Sequence, residues 1–283
     1  MVLPVFRQRL SNLGALGALV LGSCGLSGCQ TPAHEQINRY ATDQGMTRSL
    51  VPGAGFQHVI YESTANPDNG RWHLYIEGDG QPGRYGDQAS ADPTPRRPVA
   101  LQLMALDSAS SIYLGRPCYF GQHQSPACQS EFWTSARFGS EVVDSLAEAA
   151  TQLLTERSAA EVVLIGYSGG GALATLLADR IPNVQLVLTL AANLDTEAWA
   201  RQGNFLPLDA SQNPIHTAQL SGIAHRHYAG GSDDNVPVGI IAEFARMHQG
   251  ELRVMAGFNH HCCWQAAWPA ILQDATALLE NSP

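Results

Sequence analysis

Residues 162–171 read VVLIGYSGGG, an apolar run that stops at Gly166 and leaves one serine among glycines. The run is rich in β-branched and aliphatic residues, which is typical of a buried strand. The segment 170–180 that follows is rich in alanine and leucine and has the composition of a helix. Segment 166–170 therefore matches G-x-S-x-G at a turn from strand to helix, and this context favours a nucleophilic Ser168 over an ordinary glycine-serine turn.

A serine hydroxyl needs a base before it can act as a nucleophile. All 16 basic residues are arginine, so a Ser–Lys pair is excluded and one of the ten histidines must serve. His260 and His261 follow the last predicted strand; we prefer His260 and retain His261 as the alternative. His225 and His227 alternate within a predicted strand, where packing explains them better, and they lack a recognised metal-ligand spacing.

In sites built on the G-x-S-x-G motif, the chain order is serine, acid, histidine. The acid should therefore follow the strand that comes before the last predicted strand. Asp233 and Asp234 lie in that position. Asp233 is preferred, since it falls three residues after Gly230 and three before Val236. Asp234 is the second candidate and Asp195 the third.

Apolar strand-like runs alternate with helical patterns along most of the chain. This alternation predicts an α/β fold with a mostly parallel central sheet, helices on both faces and chemistry at the carboxyl ends of the strands. The first two runs leave no room for a helix between them, which predicts an antiparallel hairpin at the N-terminal edge. The runs are 56–62, 71–77, 111–116, 161–166, 184–191, 223–229 and 251–256, and the helical patterns are 96–107, 138–157, 170–180, 236–249 and 264–280.

Residues 1–28 have the pattern of a bacterial lipoprotein signal peptide. Two arginines precede an apolar, glycine-containing stretch that is short for a membrane span. It ends in LSGC at 26–29, which resembles a lipobox and predicts lipidation of Cys29; Cys24 or an ordinary cleaved signal peptide are the alternatives. Gln30 after the cysteine indicates, by the same resemblance, the outer membrane and its periplasmic side.

Length and composition suit one large domain. The chain has 283 residues, 45% of them hydrophobic, and we place the domain at residues 55–283 after a linker over 29–54. The formal charge is −9 and becomes −11 without residues 1–28. An acidic chain without a basic stripe argues against nucleic acid as a partner. Contact with a membrane is expected only through the lipid anchor.

Export to an oxidising compartment determines how the remaining cysteines are interpreted. Cys118 and Cys128 enclose a loop that contains glycine and proline, which predicts a disulfide. Cys262 and Cys263 are adjacent and either form a vicinal disulfide or stay reduced. These spacings do not resemble a zinc site, and no metal is expected.

A second glycine cluster, GDGQPG at 78–83, matches G-x-G-x-x-G directly after a predicted strand. A dinucleotide site also needs a helix that begins there to receive the pyrophosphate. Glycines and prolines keep the chain irregular until about residue 95. The context therefore disfavours a nucleotide cofactor.

Together these motifs resemble the α/β-hydrolase family over nearly the whole mature chain, closest to a group of bacterial hydrolases. The resemblance implies that Ser168 is the nucleophile, Asp233 the acid and His260 the base. The segments that carry it are YIEGDG, DPTP, YLGRPC, FWTSARFGSEVV, GYSGGG, AANLDT and HCCW.

The same resemblance makes the loop after the run 71–77 the oxyanion-hole loop. That loop is usually His-Gly in this fold, whereas here it contains Gly78-Asp79. The expected donors are the backbone amides of Gly169 and Asp79, with Gly80 as the alternative to Asp79.

The implied activity is hydrolysis of an ester with a small-molecule or peptide acyl substrate and no metal or organic cofactor. A peptidase or amidase with the same residues is one alternative, and a non-catalytic binding lipoprotein on this scaffold is another. Specificity resides in loops, and the insertion between 191 and 223 offers Trp199 and Phe205 as pocket residues.

Overall fold

An eight-stranded sheet forms the centre of the molecule. The computed structural model describes residues 31–63, 70–84 and 88–280, so the predicted signal peptide and lipidation site Cys29 lie outside the described residues. Strands β4 and β5 pair only with each other, and the other eight strands form the sheet. In chain order the strands are β1 (Thr47–Gly53), β2 (Phe56–Ser63), β3 (Arg71–Ile76), β4 (Gly83–Arg84), β5 (Gln88–Ala89), β6 (Ser110–Leu114), β7 (Glu161–Tyr167), β8 (Val184–Leu190), β9 (Ala224–Gly230) and β10 (Glu251–Met255).

The strand order across the sheet is β1-β2-β6-β3-β7-β8-β9-β10. Neighbours from β6 to β10 run parallel, whereas β2 is antiparallel to both β1 and β6. The predicted fold class, a mostly parallel sheet with an antiparallel N-terminal edge, is confirmed. Because parallel strands end at the same edge, the residues that follow β3, β7, β8, β9 and β10 are brought together there.

Eight helices in the described residues connect and cover the strands. The five predicted helical patterns correspond to α2, α3, α4, α7 and α8 of the final list. None of the helices in the described part of the chain combines the length and the hydrophobicity that crossing a bilayer requires. The helices are α1 (Ala33–Asp43), α2 (Val99–Met104), α3 (Ser140–Glu156), α4 (Gly169–Leu177), α5 (Thr196–Gly203), α6 (Pro214–Thr217), α7 (Val238–His248) and α8 (Trp264–Glu280).

The N-terminal edge differs from the predicted hairpin in its strand pairing. The runs 56–62 and 71–77 were expected to pair with each other, but β6 lies between β2 and β3. The antiparallel partner of β2 at the edge is β1, with Val51 opposite His58. β1 has one buried residue, so it lacks the apolar run by which a strand is recognised in the sequence.

The segment 29–54, expected to be a linker, contains α1 and β1. α1 is largely polar and buries Ile37 and Ala41, which lie one helical turn apart. The tyrosine hydroxyl of Tyr61 in β2 donates a hydrogen bond of 2.5 Å to the Asn38 side chain. These contacts attach α1 to the edge of the sheet, so the folded unit begins well before residue 55.

The strands next to the sheet centre are covered on both faces. Every residue of β7 except Glu161 is buried, and every residue of β3 except Arg71. A parallel strand with no solvent face has no polar alternation, which explains the unbroken apolar run before Ser168. Burial of each leucine or valine side chain contributes about 2 kcal/mol, so the strand that leads to the serine is held firmly.

A disulfide closes the loop after β6, as the spacing predicts. The Sγ atoms of Cys118 and Cys128 are 2.05 Å apart and their Cα atoms 5.5 Å apart. Cys118 is fully buried. The hydroxyl of the adjacent Tyr119 donates to the backbone carbonyl of Asp79 at 2.9 Å, so this loop supports the turn that contains Asp79.

Candidate active site

The turn from β7 to α4 holds Ser168 in a strained backbone conformation. Its φ is 53° and its ψ is −123°, values that non-glycine residues rarely adopt. Such strain costs about 1–3 kcal/mol and persists only when the surrounding structure fixes the backbone. The buried strand on one side and the helix on the other provide that constraint, and they set the serine at the carboxyl edge of the sheet.

The glycines of the motif are required because there is no room for a side chain. A Cβ atom at position 166 would lie 2.3 Å from the carbonyl oxygen of Gly170. At position 170 it would lie 2.1 Å from the carbonyl oxygen of Ile76, and at position 169 it would lie 2.0 Å from Oδ1 of Asp79. The turn is therefore pressed against both β3 and the loop that follows it.

The structure brings Ser168, His260 and Asp233 into one hydrogen-bonded chain. Nε2 of His260 is 3.0 Å from Oγ of Ser168, and Nδ1 is 2.8 Å from Oδ2 of Asp233. The other carboxylate oxygen accepts 2.9 Å bonds from the amides of Asn235 and Val236. An ionised carboxylate only accepts, so Nδ1 carries the proton and Nε2 is free to receive the serine proton.

The neighbouring candidates lie elsewhere. Asp234 is exposed and makes no hydrogen bond within the described residues. His261 is exposed and its Nδ1 is 3.2 Å from the hydroxyl of Tyr167. Asp195 caps α5 by accepting from the amide of Ala198 at 3.1 Å. The chain formed by Ser168 therefore includes the residues preferred from the sequence and none of these three.

Two aromatic side chains hold the loop that carries His260. The hydroxyl of Tyr167 and Nε1 of Trp264 donate to the carbonyl oxygen of His260 at 2.8 and 3.1 Å. The Tyr167 and His260 rings lie 5.4 Å apart. Sequence reasoning missed this support; the only signals are an aromatic residue at the variable position of G-x-S-x-G and a tryptophan after the histidines.

Asp79 is held by two arginines beside the serine. Its carboxylate accepts from Nη1 of Arg116 at 2.5 Å and from Nη1 of Arg137 at 2.8 Å. Burial alone would raise the pKa of Asp79, but the charges and hydrogen bonds of Arg137 and Arg116 outweigh it and hold the pKa below its usual value. These bonds fix the side chain, and with it the backbone of the loop.

The loop containing Asp79 lies against the serine. A Cβ atom at Gly78 would be 3.1 Å from Cβ of Ser168. Among the described residues, neither the amide of Asp79 nor that of Gly169 has a hydrogen-bond partner. Gly80, the alternative donor, has a φ of +65° and passes close to the carbonyl oxygen of Pro93. The assignment of the two oxyanion donors stays a prediction.

Glu77 is a buried carboxyl at the end of β3. It is 2% exposed and accepts hydrogen bonds from the amides of Gly78 at 3.1 Å and Ala100 at 3.0 Å. Burial raises the pKa of Glu77 to about 7, because these bonds compensate only part of the lost hydration. The carboxyl thus ties the loop after β3 to the start of α2.

A cavity of 920 Å³ opens at the serine and is lined by Ser168 and His260. Trp199 and Phe205 from the insertion line it as the sequence suggested, with their rings stacked at 4.4 Å. The lining also includes Arg96, Arg97, Arg137, Asn193, Leu206 and His261.

Asn193 is a lining residue that sequence reasoning missed. It follows β8 and is 2% exposed. Neither its Nδ2 nor its Oδ1 has a partner in the described part of the chain. An unpaired buried amide costs free energy, which a polar group of a ligand in the cavity could recover.

The remaining histidines and cysteines form no metal centre in the described residues. No group of three or more His, Cys, Asp or Glu side chains there could hold an ion. His225 and His227 are buried in β9 and bonded to each other at 2.9 Å, as expected for packing residues. Cys262 and Cys263 are joined to each other.

The glycine cluster at 78–83 does not open a helix. After β3 the next helix in the described chain is α2, which begins at Val99. The position that a pyrophosphate would take in a dinucleotide site therefore lacks its helix N-terminus. The cluster instead forms the loop that contacts Ser168.

No protein-family model matches the chain, and no curated protein does. Solved structures match it over most of its length. An α/β serine hydrolase without a lid from Xanthomonas campestris has a TM-score of 0.55 at 12% identity, covering 84% of this chain and 96% of that one.

Two further solved structures agree. An esterase from Pyrococcus furiosus has a TM-score of 0.60 at 11% identity, covering 84% of this chain and 92% of its own. A proline iminopeptidase-related protein from Thermus thermophilus has a TM-score of 0.59 at 11% identity, covering 83% and 98%. The chain therefore has the α/β-hydrolase fold, which the sequence motifs implied.

Replacing the buried carboxyl of Glu77 should change how stability depends on pH. The pKa rises from 4.5 in the unfolded chain to about 7 in the fold, so the folded state binds the proton more tightly. The favourable contribution is complete below pH 4.5 and is lost as the pH rises through 7. Between pH 5 and pH 8 the wild type should lose up to about 3 kcal/mol that Glu77→Gln does not lose.

The measurement is the free energy of unfolding by denaturant at both pH values. Glu148→Gln, at an exposed position of α3, is the matched control and should follow the wild type. An identical pH dependence in wild type and Glu77→Gln would show that Glu77 does not titrate in this range.

Proposed function

We propose that the protein is a serine hydrolase that cleaves an ester and transfers its acyl group to water. One observation carries the proposal: His260 lies 3.0 Å from Oγ of Ser168 and 2.8 Å from the carboxylate of Asp233. Nucleophile, base and orienting acid in this sequence of contacts constitute the arrangement that acyl transfer requires. The hydrolase-fold neighbours support the general class of reaction.

In the first half of the reaction, Oγ of Ser168 attacks the ester carbonyl carbon while Nε2 of His260 takes the hydroxyl proton. Asp233 holds the proton on Nδ1 and stabilises the imidazolium that forms. The tetrahedral oxyanion is stabilised by the amides of Gly169 and Asp79. The C–O bond to the alcohol then breaks, and the alcohol leaves with the proton from His260.

In the second half, a water molecule attacks the acyl-serine carbonyl and His260 takes one of its protons. The bond between the acyl carbon and Oγ breaks, and the serine oxygen recovers that proton. The products are a carboxylic acid and the free enzyme. All proton transfers pass through one histidine, so no metal or organic cofactor takes part in this scheme.

We also propose that the mature chain begins at a lipidated Cys29 and is held at the periplasmic side of the outer membrane. The lipobox-like LSGC at 26–29 and Gln30 support this location. Several acyl chains on one cysteine anchor a protein stably, which one chain does not. The substrate would then be met in the periplasm or at the membrane surface.

Substitutions at the proposed triad should separate it from its neighbours. Ser168→Ala, His260→Ala and Asp233→Ala should each lower kcat for a nitrophenyl ester by at least about 10³-fold, because the three residues act as a unit. His261→Ala and Asp234→Ala are the matched controls and should retain most activity. The measurement is steady-state hydrolysis of 4-nitrophenyl butyrate and of the corresponding amide, 4-nitrobutyranilide. The two rates compare ester with amide hydrolysis.

A larger loss in His261→Ala than in His260→Ala would contradict the assignment of the base. Full activity in Ser168→Ala would contradict the nucleophile. Faster turnover of the anilide would favour the amidase alternative. Absence of turnover for every ester and amide would favour a binding protein on this scaffold.

The lipid anchor is tested by two cysteine substitutions in the bacterial host. Cys29→Ser should move the protein from the membrane fraction and remove the acyl mass from its N-terminal peptide, while Cys24→Ser should leave both unchanged. Fractionation and mass spectrometry report the result. If only Cys24→Ser releases the protein from the membrane fraction, the lipidated residue is Cys24. If neither substitution releases it, the proposed lipid anchor is contradicted.

A further inference from the structure

Positively charged side chains line the candidate active-site cavity, although the chain as a whole is acidic. The formal charge of the chain is −9, yet three arginines line this cavity. They are Arg96 and Arg97, in the segment before α2, and Arg137, before α3. Local charge opposite in sign to the whole chain suggests a role in attracting a ligand.

Two of these arginines are not used by the protein itself. Arg137 is paired with Asp79 at 2.8 Å and belongs to the support of the loop. Arg96 and Arg97 are exposed, and no ion pair to either of them occurs among the described residues. Their guanidinium groups therefore remain available to a ligand.

The charge of Arg97 acts on His261, the residue that follows the proposed base. Partial loss of hydration, then the charges of His260 and Arg97, lower the pKa of His261. His261 lines the cavity directly after the proposed base. The positive charge of Arg97 therefore affects the residue next to His260, the proposed base.

The acidic residues that line the cavity do not offset these arginines. Asp79 is neutralised by its two ion pairs. Glu77 is 2% exposed and its carboxyl is engaged by two backbone amides.

The lining also has an apolar part that a ligand can contact. Phe205 is 45% exposed and Leu206 is 62% exposed.

We propose that the substrate is an ester that carries an anionic group, a carboxylate, which binds Arg96 and Arg97 while its apolar part lies on Phe205 and Leu206. This inference rests on the proposed serine hydrolase function. Guanidinium groups match carboxylates through paired N–H donors. At an exposed site each arginine should favour the anion by about two- to fivefold.

Matched ester pairs test the preference on both sides of the scissile bond. The acyl pair is mono-(4-nitrophenyl) glutarate and its methyl-capped form. The alcohol pair is 4-butyryloxybenzoate and its methyl ester. The members of each pair differ in charge and by one methyl group, so the change in the ratio of kcat/KM for anion over neutral ester between wild type and the arginine variants isolates the contribution of the arginines. We expect the wild-type ratio to exceed one in at least one pair.

Variants assign the preference to the two arginines. Arg96→Gln and Arg97→Gln should each lower the ratio by about two- to fivefold, and Arg97→Lys should restore part of it because the charge returns. Arg246→Gln removes the same charge from the exposed surface of α7 and is the matched control. Raising salt from about 0.05 M to about 0.5 M should weaken the wild-type preference.

A wild-type ratio of one or below in both pairs overturns the inference and leaves the hydrolase intact. An equal fall of the ratio in Arg246→Gln also overturns it, because the effect would then belong to net charge. If neither 4-nitrophenyl butyrate nor any of these four esters is hydrolysed, the proposed function is contradicted and the inference falls with it. Hydrolysis of 4-nitrophenyl butyrate but of none of the four overturns the inference alone.

Discussion

The close contact between the turn at Ser168 and strand β3 is the constraint on which the rest of the site depends. A Cβ atom at position 170 would lie 2.1 Å from the carbonyl oxygen of Ile76. Only glycine permits that approach, and only a fully packed sheet holds Ser168 at a φ of 53°. Because β3 and β7 are adjacent and parallel, the loop after β3 must arrive beside the serine. The turn at Ser168 and this loop are therefore one structural unit.

The buried ion pairs of Asp79 give that loop a fixed conformation. A carboxylate largely removed from water needs strong partners, and Arg116 and Arg137 supply them from the two ends of the connection between β6 and α3. Removal of the Asp79 carboxylate would leave the guanidinium groups of Arg116 and Arg137 without their partner, at side chains that are 1% and 10% exposed. The arrangement joins the loop after β3 to both ends of the connection between β6 and α3, so these two parts of the chain share one geometry beside the serine.

Sequence patterns predicted the parts of this structure that depend on local order along the chain. The apolar runs identified seven strands, and the chain order of Ser168, Asp233 and His260 identified residues that the fold brings together. β1 was missed because an exposed edge strand carries little apolar signal. The partners of Asp79 were missed because they lie 37 and 58 residues away, and nothing in a local pattern indicates such a pairing.

The assignment of Ser168 as the nucleophile is tested most directly by the site of covalent modification by a fluorophosphonate. Such a reagent phosphonylates an activated serine, and the adduct is located by mass spectrometry of peptides from the treated mature protein. We expect one adduct, on the peptide that contains Ser168, and none when His260 is replaced by alanine. An adduct on another serine, or no adduct on the wild-type protein, would contradict it.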